Sequence, residues 1–393
     1  MLKTFKVKAF KSLEEAEIEL GRVNVFIGAN GSGKSNLLEA IGILGAAANG
    51  RVDTEALIRR GVRPGLPSLY KSSFKGRRQP HNIEFSGASD TAEFKVGLFN
   101  PMDAPTPAWQ FKTESLWENG QHLVGRSPAT KRKKLLRLEP TAGYTALKAV
   151  EFPQESPAGK LLDALRQYAI YSPDTATLRG LVPDPQTTAP VGLSGGRLAE
   201  AVGEVLRLPW SENDDVLEDT LALIDWAEDF VSTSPRTASN NLNSPKRVLN
   251  FRDRFMAEER NVLSGYDASE GALYVLFMMV LAHHPEAPSV LAVDNFDHAL
   301  NPRLAKSLTR LLCKWITSYE NRQILLTSHN PLVLDGLPLR DDSVRLFTVE
   351  RSYQGQTIVQ RVTVSEELIQ KAEEGYPLSQ QWVMGTFGGV PNL

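Results

Sequence analysis

Residues 23–44 read VNVFIGANGSGKSNLLEAIGIL, and this stretch decides the fold. Its first five residues are an apolar run typical of a buried strand, and its last nine have the periodicity of a helix. Between them, Gly28–Ser35 fits the pattern GxxxxGK[ST] at every defined position. A glycine-rich loop between a strand and a helix is the setting in which this pattern binds nucleotide phosphates. We therefore predict a nucleotide-binding loop here.

The backbone and the side chains of this loop have separate tasks. Its glycines let backbone N–H groups approach the phosphates, and the helix that follows adds the positive end of its dipole. Lys34 is predicted to reach the β and γ phosphates of ATP, and the Ser35 hydroxyl to ligate Mg²⁺. The full set of residues predicted to hold the nucleotide in this loop is Asn30, Gly31, Ser32, Gly33, Lys34, Ser35 and Asn36.

Two later strands end in polar residues that suit the same site. Residues 289–293, SVLAV, form an apolar strand followed by Asp294, which is predicted to hold Mg²⁺ directly or through water. Residues 323–327, QILLT, lead to His329. A histidine at the carboxyl end of the next strand can hydrogen-bond the γ-phosphate or the attacking water, so His329 is a predicted catalytic residue.

A further helix start lies about 25 residues before Asp294, in residues 268–271, ASEG. Ser269 and Gly271 stand where a helix N-terminus offers N–H groups to an anion. In this order and at about this spacing, the motifs resemble those of ABC-type ATPases of the RecF, SMC and Rad50 branch. In that family the signature of one subunit closes on ATP held by the other. The resemblance therefore implies ATP-sandwiched heads in a homodimer or a higher oligomer.

A second glycine pair competes for the role of signature. Residues 193–196 read LSGG, as in transporter ATPases, but they lie about a hundred residues before Asp294. Because the signature helix must connect directly to the strand before Asp294, ASEG is the better candidate. We predict that LSGG forms a loop and a helix cap instead.

A closer resemblance extends over most of the chain. FKSLEEAEIEL, the phosphate loop, YSPDTATLRG and GLSGGRLAEAV resemble the AAA_21-type ATPases. These are relatives of the ATPase halves of OLD-family nucleases and of ATPase subunits of anti-phage defence systems such as Septu, PARIS and Gabija. The resemblance implies that Lys11 of the FKSL segment lies near the nucleotide.

One position departs from the family pattern. Asp294 would normally be followed by a glutamate that polarises water, but Asn295 stands there. An amide can position water but cannot accept its proton at neutral pH. Asp297 lies two residues further on and is an alternative base if the turn brings it back. We therefore predict that Asn295 takes the catalytic position and that hydrolysis is slow.

These motifs predict an α/β fold, namely a P-loop ABC-type ATPase head with a mostly parallel sheet, an antiparallel β lobe and a helical lobe. Three segments are predicted. Residues 1–155 form an N-terminal ATPase lobe with the loop and an antiparallel insert, and residues 156–262 form a helical or insert region. Residues 263–393 form a C-terminal ATPase lobe. Helices are predicted at 158–170, 196–208 and 214–231, and a polar loop at 232–246.

Composition excludes several classes of protein. The chain has 393 residues, a net charge of −2 and one cysteine, Cys313, so an internal disulfide is excluded. Its longest apolar run, residues 272–282, is shorter than the roughly 20 residues that span a membrane. A cytoplasmic protein without a membrane segment is expected. Two acid-free basic segments, residues 59–78 and 126–137, are candidate contacts for nucleic acid.

Two functions remain open on these grounds. The first is an ATP switch in an anti-phage defence complex. Since only 64 residues follow His329, too few for a Toprim nuclease domain, its effector is expected to be a separate protein such as a nuclease. The second is a RecF-like repair ATPase that clamps DNA. A transporter ATPase is disfavoured, because no LSGGQ lies in the right place. The C-terminal tail either docks a partner or covers the sheet edge.

Overall fold

The strand at residues 23–27 lies inside the central sheet of the computed structural model, which describes residues 1–127, 139–209, 215–234, 247–338, 340–363 and 365–389. Within those residues the chain forms fifteen strands: β1 Thr4–Phe10, β2 Leu13–Glu19, β3 Val23–Ile27, β4 Ile83–Ala88, β5 Ala92–Phe99, β6 Gln110–Glu118, β7 Gln121–Arg126, β8 Ile170–Tyr171, β9 Ala227–Thr233, β10 Val248–Asp253, β11 Val262–Ser264, β12 Val290–Val293, β13 Gln323–Ser328, β14 Val344–Arg351 and β15 Thr357–Arg361.

Twelve α-helices connect these strands within the same described residues. They are α1 Lys34–Ala48, α2 Thr54–Ile58, α3 Pro67–Tyr70, α4 Tyr144–Lys148, α5 Pro157–Gln167, α6 Thr175–Leu178, α7 Leu198–Val205, α8 Val216–Leu223, α9 Glu270–His283, α10 Pro302–Ser318, α11 Glu366–Glu373 and α12 Leu378–Val383. Short 3₁₀ helices lie at Ala149–Glu151, Glu258–Arg260 and Pro331–Gly336.

The central sheet has the strand order β15-β14-β3-β13-β12-β8, and only β15 runs antiparallel to its neighbour. Val25 of β3 lies opposite Leu326 of β13 on one side and Leu346 of β14 on the other. All three side chains are buried. The carboxyl ends of β3, β12 and β13 therefore meet at one edge of the sheet. The phosphate loop begins at this edge, and Asp294 and His329 lie there. The mostly parallel sheet of the prediction is confirmed.

The antiparallel β lobe is also confirmed. Its sheet has the order β2-β1-β4-β5-β6-β7, and every pair in it is antiparallel. The apolar faces of α1 and α5 pack on this sheet in one core, in which Phe5, Leu44 and Leu162 are almost completely buried. Helix α1 is thus held between the two sheets, and this fixes the loop that precedes it.

The predicted helix at 214–231 is wrong in its second half. Helix α8 ends at Leu223, and residues 227–233 form β9, which pairs with β10 in a three-stranded antiparallel sheet of order β11-β10-β9. Ala227 and Phe230 point into the core while their neighbours face outward. This pairing with residues 248–253 is a tertiary contact, which outweighs local helix propensity. Most of the predicted polar loop, residues 235–246, lies outside the described residues.

Helix α9 is buried along almost its whole length, from Ala272 to His283. It leads toward β12, so the turn at residues 268–271 and Asp294 lie at the two ends of one helix–strand unit. At the other end of the chain, α12 packs against the 3₁₀ helix Pro331–Gly336, where Ser379 bonds both carboxylate oxygens of Asp335. The tail therefore covers the segment that follows His329. No helix among the described residues has the length and hydropathy needed to cross a membrane.

Candidate nucleotide-binding site

Two glycines of the phosphate loop have no room for a side chain. A Cβ atom on Gly28 would lie 2.0 Å from the carbonyl oxygen of Val349 in β14. A Cβ atom on Gly33 would lie 2.1 Å from Oγ1 of Thr357, and Gly33 has a φ of 109°. Thr357 Oγ1 in turn lies 2.7 Å from the carbonyl oxygen of Ser32 and 2.7 Å from Ser12 Oγ. Strands β14 and β15 thus hold the loop from behind.

Lys34 is folded over its own loop. Its ammonium donates to the carbonyl oxygens of Gly28, at 2.7 Å, and Ala29, at 3.0 Å. The side chain is almost fully buried. Burial lowers the pKa of Lys34, while the carboxylates of Asp294 and Asp297 act in the opposite direction. Phosphate oxygens are stronger acceptors than these carbonyls, so the ammonium is available to a nucleotide.

The predicted metal ligands lie together. Ser35 Oγ lies 3.0 Å from Oδ1 of Asp294, although 259 positions separate the two residues, and Thr327 donates to the same oxygen at 2.5 Å. Mg²⁺ prefers such oxygen ligands and usually takes its remaining ligands from phosphates and water. No cluster of three or more His, Cys, Asp or Glu side chains in the described ranges could hold a metal alone. The site therefore fits a Mg²⁺ ion that arrives with a nucleotide.

The turn after β12 brings Asp297 back to the sheet edge. Asn295 has a φ of 53° and its N–H donates to Thr327 Oγ1 at 2.8 Å, while its side chain is exposed. The Asp297 carboxylate is buried, and its Oδ2 lies 3.4 Å from Nδ1 of His329. Within the described chain, its Oδ1 has no hydrogen-bond partner. A buried acceptor without a partner is costly, so it suits a ligand or a water molecule at this point.

Ser269 lies in a different part of the surface. It caps α9 by accepting from the N–H of Ala272, and its side chain is exposed. None of its hydrogen bonds within the described residues goes to loop residues 28–36. The turn is supported by α6, because Arg179 donates to the Ala268 carbonyl at 3.2 Å and Thr175 donates to Glu270. A Cβ atom on Gly271, the other predicted signature residue, would lie 3.0 Å from Cδ2 of Leu304 in α10.

The LSGG segment binds an anion from its own chain. Oδ2 of Asp184 accepts from the N–H groups of Ser194, at 2.9 Å, and Gly196, at 3.1 Å. Gly195 has a φ of 99°, which favours glycine. Helix α7 begins two residues after this loop. The predicted loop is confirmed, but the predicted helix cap is wrong, because the N-cap residue of α7 is Arg197. The N–H groups of Ser194 and Gly196 are already bonded to Asp184.

Lys11 lies beside the helix that follows the phosphate loop. It forms an ion pair with the buried carboxylate of Glu39 in α1, which also accepts from Arg63 Nε at 2.5 Å. Burial lowers the pKa of Lys11, and Glu39 opposes this. Ser12, the next residue, accepts from Asn36 of the loop at 2.8 Å. The FKSL segment therefore borders the phosphate loop. Sequence reasoning missed Ser12, Thr327 and Thr357, although Ser12 lies in a quoted motif and Thr327 ends a predicted strand.

Most basic side chains of the first acid-free segment have partners inside the protein. Arg59 pairs with Glu55, Arg63 with Glu39 and Arg77 with Glu14. Arg60 and Lys71 are buried and donate to backbone carbonyls.

The second basic segment is described only in part. Arg126 is buried and donates to the Ala142 carbonyl at 2.6 Å, and residues 128–138 lie outside the described residues.

This fold is that of a P-loop ABC-type ATPase head. Residues 251–335 match the AAA_21 family, described as "AAA domain, putative AbiEii toxin, Type IV TA system", and residues 1–79 match AAA_15, described as "AAA ATPase domain". The AAA_21 resemblance is thus confirmed for the C-terminal part. A solved SMC head bound to the C-terminal winged-helix domain of ScpA shares the fold, with a TM-score of 0.50 and 14% identity over 92% of this chain and 98% of that one.

The curated relatives of this chain include DNA replication and repair proteins RecF. The RecF of Magnetococcus marinus is 34% identical over 91 residues, which is 23% of each chain. The RecF of Renibacterium salmoninarum is 42% identical over 137 residues, or 34% of each chain. The matched stretch therefore spans only a quarter to a third of these relatives. The domains, relatives and fold together support an ATPase of the RecF/SMC type.

Proposed function

We propose that this chain is an ATP-dependent switch whose heads pair around ATP and hydrolyse it slowly. The observation that carries the proposal is the contact between Ser35 and Asp294, with Lys34 and the Asp297–His329 pair beside it. Three separate strands supply these groups to one sheet edge, and their types match what phosphoryl transfer to water requires.

Each residue has a task in this proposal. Lys34 neutralises charge on the β and γ phosphates, and Ser35 and Asp294 would hold Mg²⁺, which supplies further neutralisation. Asn295 can orient the attacking water but cannot take its proton. The carboxylate of Asp297 and the imidazole of His329 are the nearby groups that can accept it. Neither group occupies the position directly after Asp294, so we propose that proton transfer to them is slower than to a glutamate at that position.

The position of Ser269 supports the proposed pairing of heads. Its hydroxyl is exposed and forms no hydrogen bond with the phosphate loop of its own chain. In the proposed dimer it would complete the site of a second copy. The SMC head with a bound winged-helix domain shows that this fold also accepts partner proteins. For this chain we propose a separate effector such as a nuclease, in an anti-phage defence complex. The resemblance to defence ATPases and the description of AAA_21 as a putative toxin domain support it.

The test combines assembly with turnover. Sedimentation of the wild type with and without ATP and Mg²⁺ measures the monomer–dimer equilibrium, and steady-state phosphate release measures hydrolysis. We expect an ATP-dependent dimer and a turnover slower than about 1 s⁻¹, the low end of typical enzyme rates. A monomer–dimer equilibrium that does not depend on ATP would contradict the switch. A turnover faster than about 1 s⁻¹ would contradict slow hydrolysis.

A DNA-binding repair ATPase is the second candidate, and one groove favours it besides the RecF relatives. The groove has a volume of about 870 Å³ and no acidic side chain among its described lining residues. Its basic and aromatic lining consists of Lys11, Lys71, Lys75, Arg77, Arg351, Phe74 and Tyr353. Lys11 and Arg77 are paired with carboxylates and Lys71 is buried. The exposed Lys75 and Arg351 are therefore the groups that would neutralise phosphates. The exposed Tyr353 can stack on a base.

This candidate has its own experiment. Lys75→Glu and Arg351→Glu should weaken DNA binding and reduce its salt dependence by about one unit of slope for each phosphate that is no longer neutralised. Lys160→Glu, an exposed charge reversal on α5 outside the groove, is the matched control. Fluorescence anisotropy with a labelled duplex at several salt concentrations gives the slope. Equal binding by all variants would remove the groove from consideration.

A further inference from the structure

The turn at residues 268–271, which we call the signature turn, contains a hydrogen bond to a residue outside any of the sequence motifs. The indole N–H of Trp226 donates to Oγ of Ser269 across 3.3 Å, and the N–H of Ala272 donates to the same oxygen across 3.3 Å. A serine hydroxyl has two acceptor lone pairs and one proton to donate. Both lone pairs are therefore in use. No described residue accepts the Ser269 proton, so the hydroxyl can make a further hydrogen bond only as a donor.

The indole is held in place by the three-stranded sheet. The ring centroid of Trp226 lies 5.4 Å from that of Phe251 in β10, which is fully buried. The Trp226 carbonyl accepts from the N–H of Arg254 at 3.1 Å. Trp226 itself directly precedes β9. The direction of the indole N–H is thus set by the sheet and not by the signature turn.

We propose that Trp226 is a positioning residue that presents the Ser269 hydroxyl as a donor to the γ-phosphate of ATP held by a second copy. This inference rests on the proposed pairing of heads. Ionised phosphate oxygens accept hydrogen bonds, so a hydroxyl that can only donate is matched to them. Without the indole N–H, the serine hydroxyl regains a free lone pair and can rotate. The hydroxyl is then no longer preorganised as a donor before the phosphate binds.

The substitution Trp226→Phe removes the N–H and keeps a ring to stack on Phe251. Trp117→Phe, on β6 of the six-stranded antiparallel sheet, is the matched control. A hydrogen bond of this kind changes an equilibrium by about fivefold. Because a symmetric dimer holds two such sites, we expect the dimer Kd with ATP to rise by about 25-fold for Trp226→Phe. The ATP affinity of the single head should stay unchanged, as should both quantities for Trp117→Phe.

A double-mutant cycle separates positioning from general destabilisation. If Trp226 acts through Ser269, Trp226→Phe should have no further effect on the dimer Kd in the Ser269→Ala background. Additive effects would overturn the proposal.

The indole signal tests the contact without any dimer. In ¹H–¹⁵N spectra of the free protein, the Trp226 indole resonance, assigned by its loss in Trp226→Phe, should shift in Ser269→Ala. An unmoved resonance would overturn the contact. A wild type that forms no ATP-dependent dimer, with the indole resonance still shifted, would instead overturn the pairing of heads and the role assigned to Trp226 in it.

Discussion

Among the described residues, the ammonium of Lys34 donates hydrogen bonds only to carbonyl oxygens of its own loop. It forms no ion pair there that a nucleotide phosphate would have to displace. Charge-assisted hydrogen bonds contribute about 1.5–3 kcal/mol each. Lys34→Ala should therefore weaken ATP binding at least about a hundredfold. Lys160→Ala, which removes an exposed lysine from α5, should leave the affinity unchanged. Calorimetric titration measures both, and wild-type affinity in Lys34→Ala would contradict the site.

Asn295 and Asp297 make the second prediction at this scale. Asn295→Glu should raise turnover by about tenfold or more if a general base is the only missing part. The left-handed φ of 53° suits asparagine better than glutamate, so the variant should also lose about 1 kcal/mol of unfolding free energy. If Asp297 is already the base, Asn295→Glu will change little and Asp297→Ala will lower turnover by about a hundredfold.

Steady-state phosphate release from the wild type and these variants separates the two cases. His298→Ala, which removes the exposed neighbour of Asp297, is the control and should behave as the wild type. Fast wild-type hydrolysis that survives Asp297→Ala would show that neither residue has the role assigned to it.

The sequence predicted Lys34, Ser35 and Asp294 because their roles follow from local patterns at strand ends. It left the role of Asp297 open, because only the turn geometry brings its carboxylate within 3.4 Å of His329. The supporting hydroxyls of Thr327 and Thr357 and the indole of Trp226 could not be predicted. Each of them acts across a long sequence separation, through packing that no local pattern encodes.

Among the elements, the loop that begins α1 depends on β15 behind it. Gly33→Ala places a Cβ atom against Thr357 and also requires a left-handed backbone, so we expect it to cost several kcal/mol of unfolding free energy or to displace the loop and abolish ATP binding. Gly120→Ala is the matched control, because Gly120 has a φ of 77° but open space around it. It should cost only about 1 kcal/mol.

Urea unfolding and ATP titration of both glycine variants test this dependence. Equal unfolding free energies and intact ATP binding in Gly33→Ala would show that the contact with β15 is not needed.

The elements also show where sequence patterns fail. The central strands were predictable because buried parallel strands are continuous apolar runs, as in VNVFI and QILLT. Strand β9 was not predictable, since residues 214–231 carry helix-forming residues and the pairing of β9 with β10 is not encoded within that stretch. Connectivity is the ground on which the ASEG turn is preferred to the LSGG loop as the signature, and this choice stays a prediction. The ASEG turn leads through α9 to β12, while the LSGG loop closes around Asp184.

At the scale of the whole molecule, the proposed pairing of heads would complete each site with the phosphate loop of one copy and the Ser269 turn of the other. This geometry predicts complementation. A Lys34→Ala copy cannot bind ATP but keeps its signature, and a Ser269→Arg copy binds ATP but blocks the signature with a bulky cation. In a mixed dimer the intact loop of the Ser269→Arg copy meets the intact signature of the Lys34→Ala copy. One of the two sites is therefore complete.

Neither variant alone should form an ATP-dependent dimer with active sites, because each homodimer lacks one half of both sites. An equimolar mixture should recover up to about a quarter of wild-type turnover, since half of the dimers are mixed and each has one working site. Phosphate release measured across mixing ratios should peak near equal amounts. Mixing Lys34→Ala with the doubly substituted Lys34→Ala/Ser269→Arg chain is the control and should recover nothing. A mixture no more active than the average of its components would contradict the shared site, and turnover in Ser269→Arg alone would show that one head is sufficient.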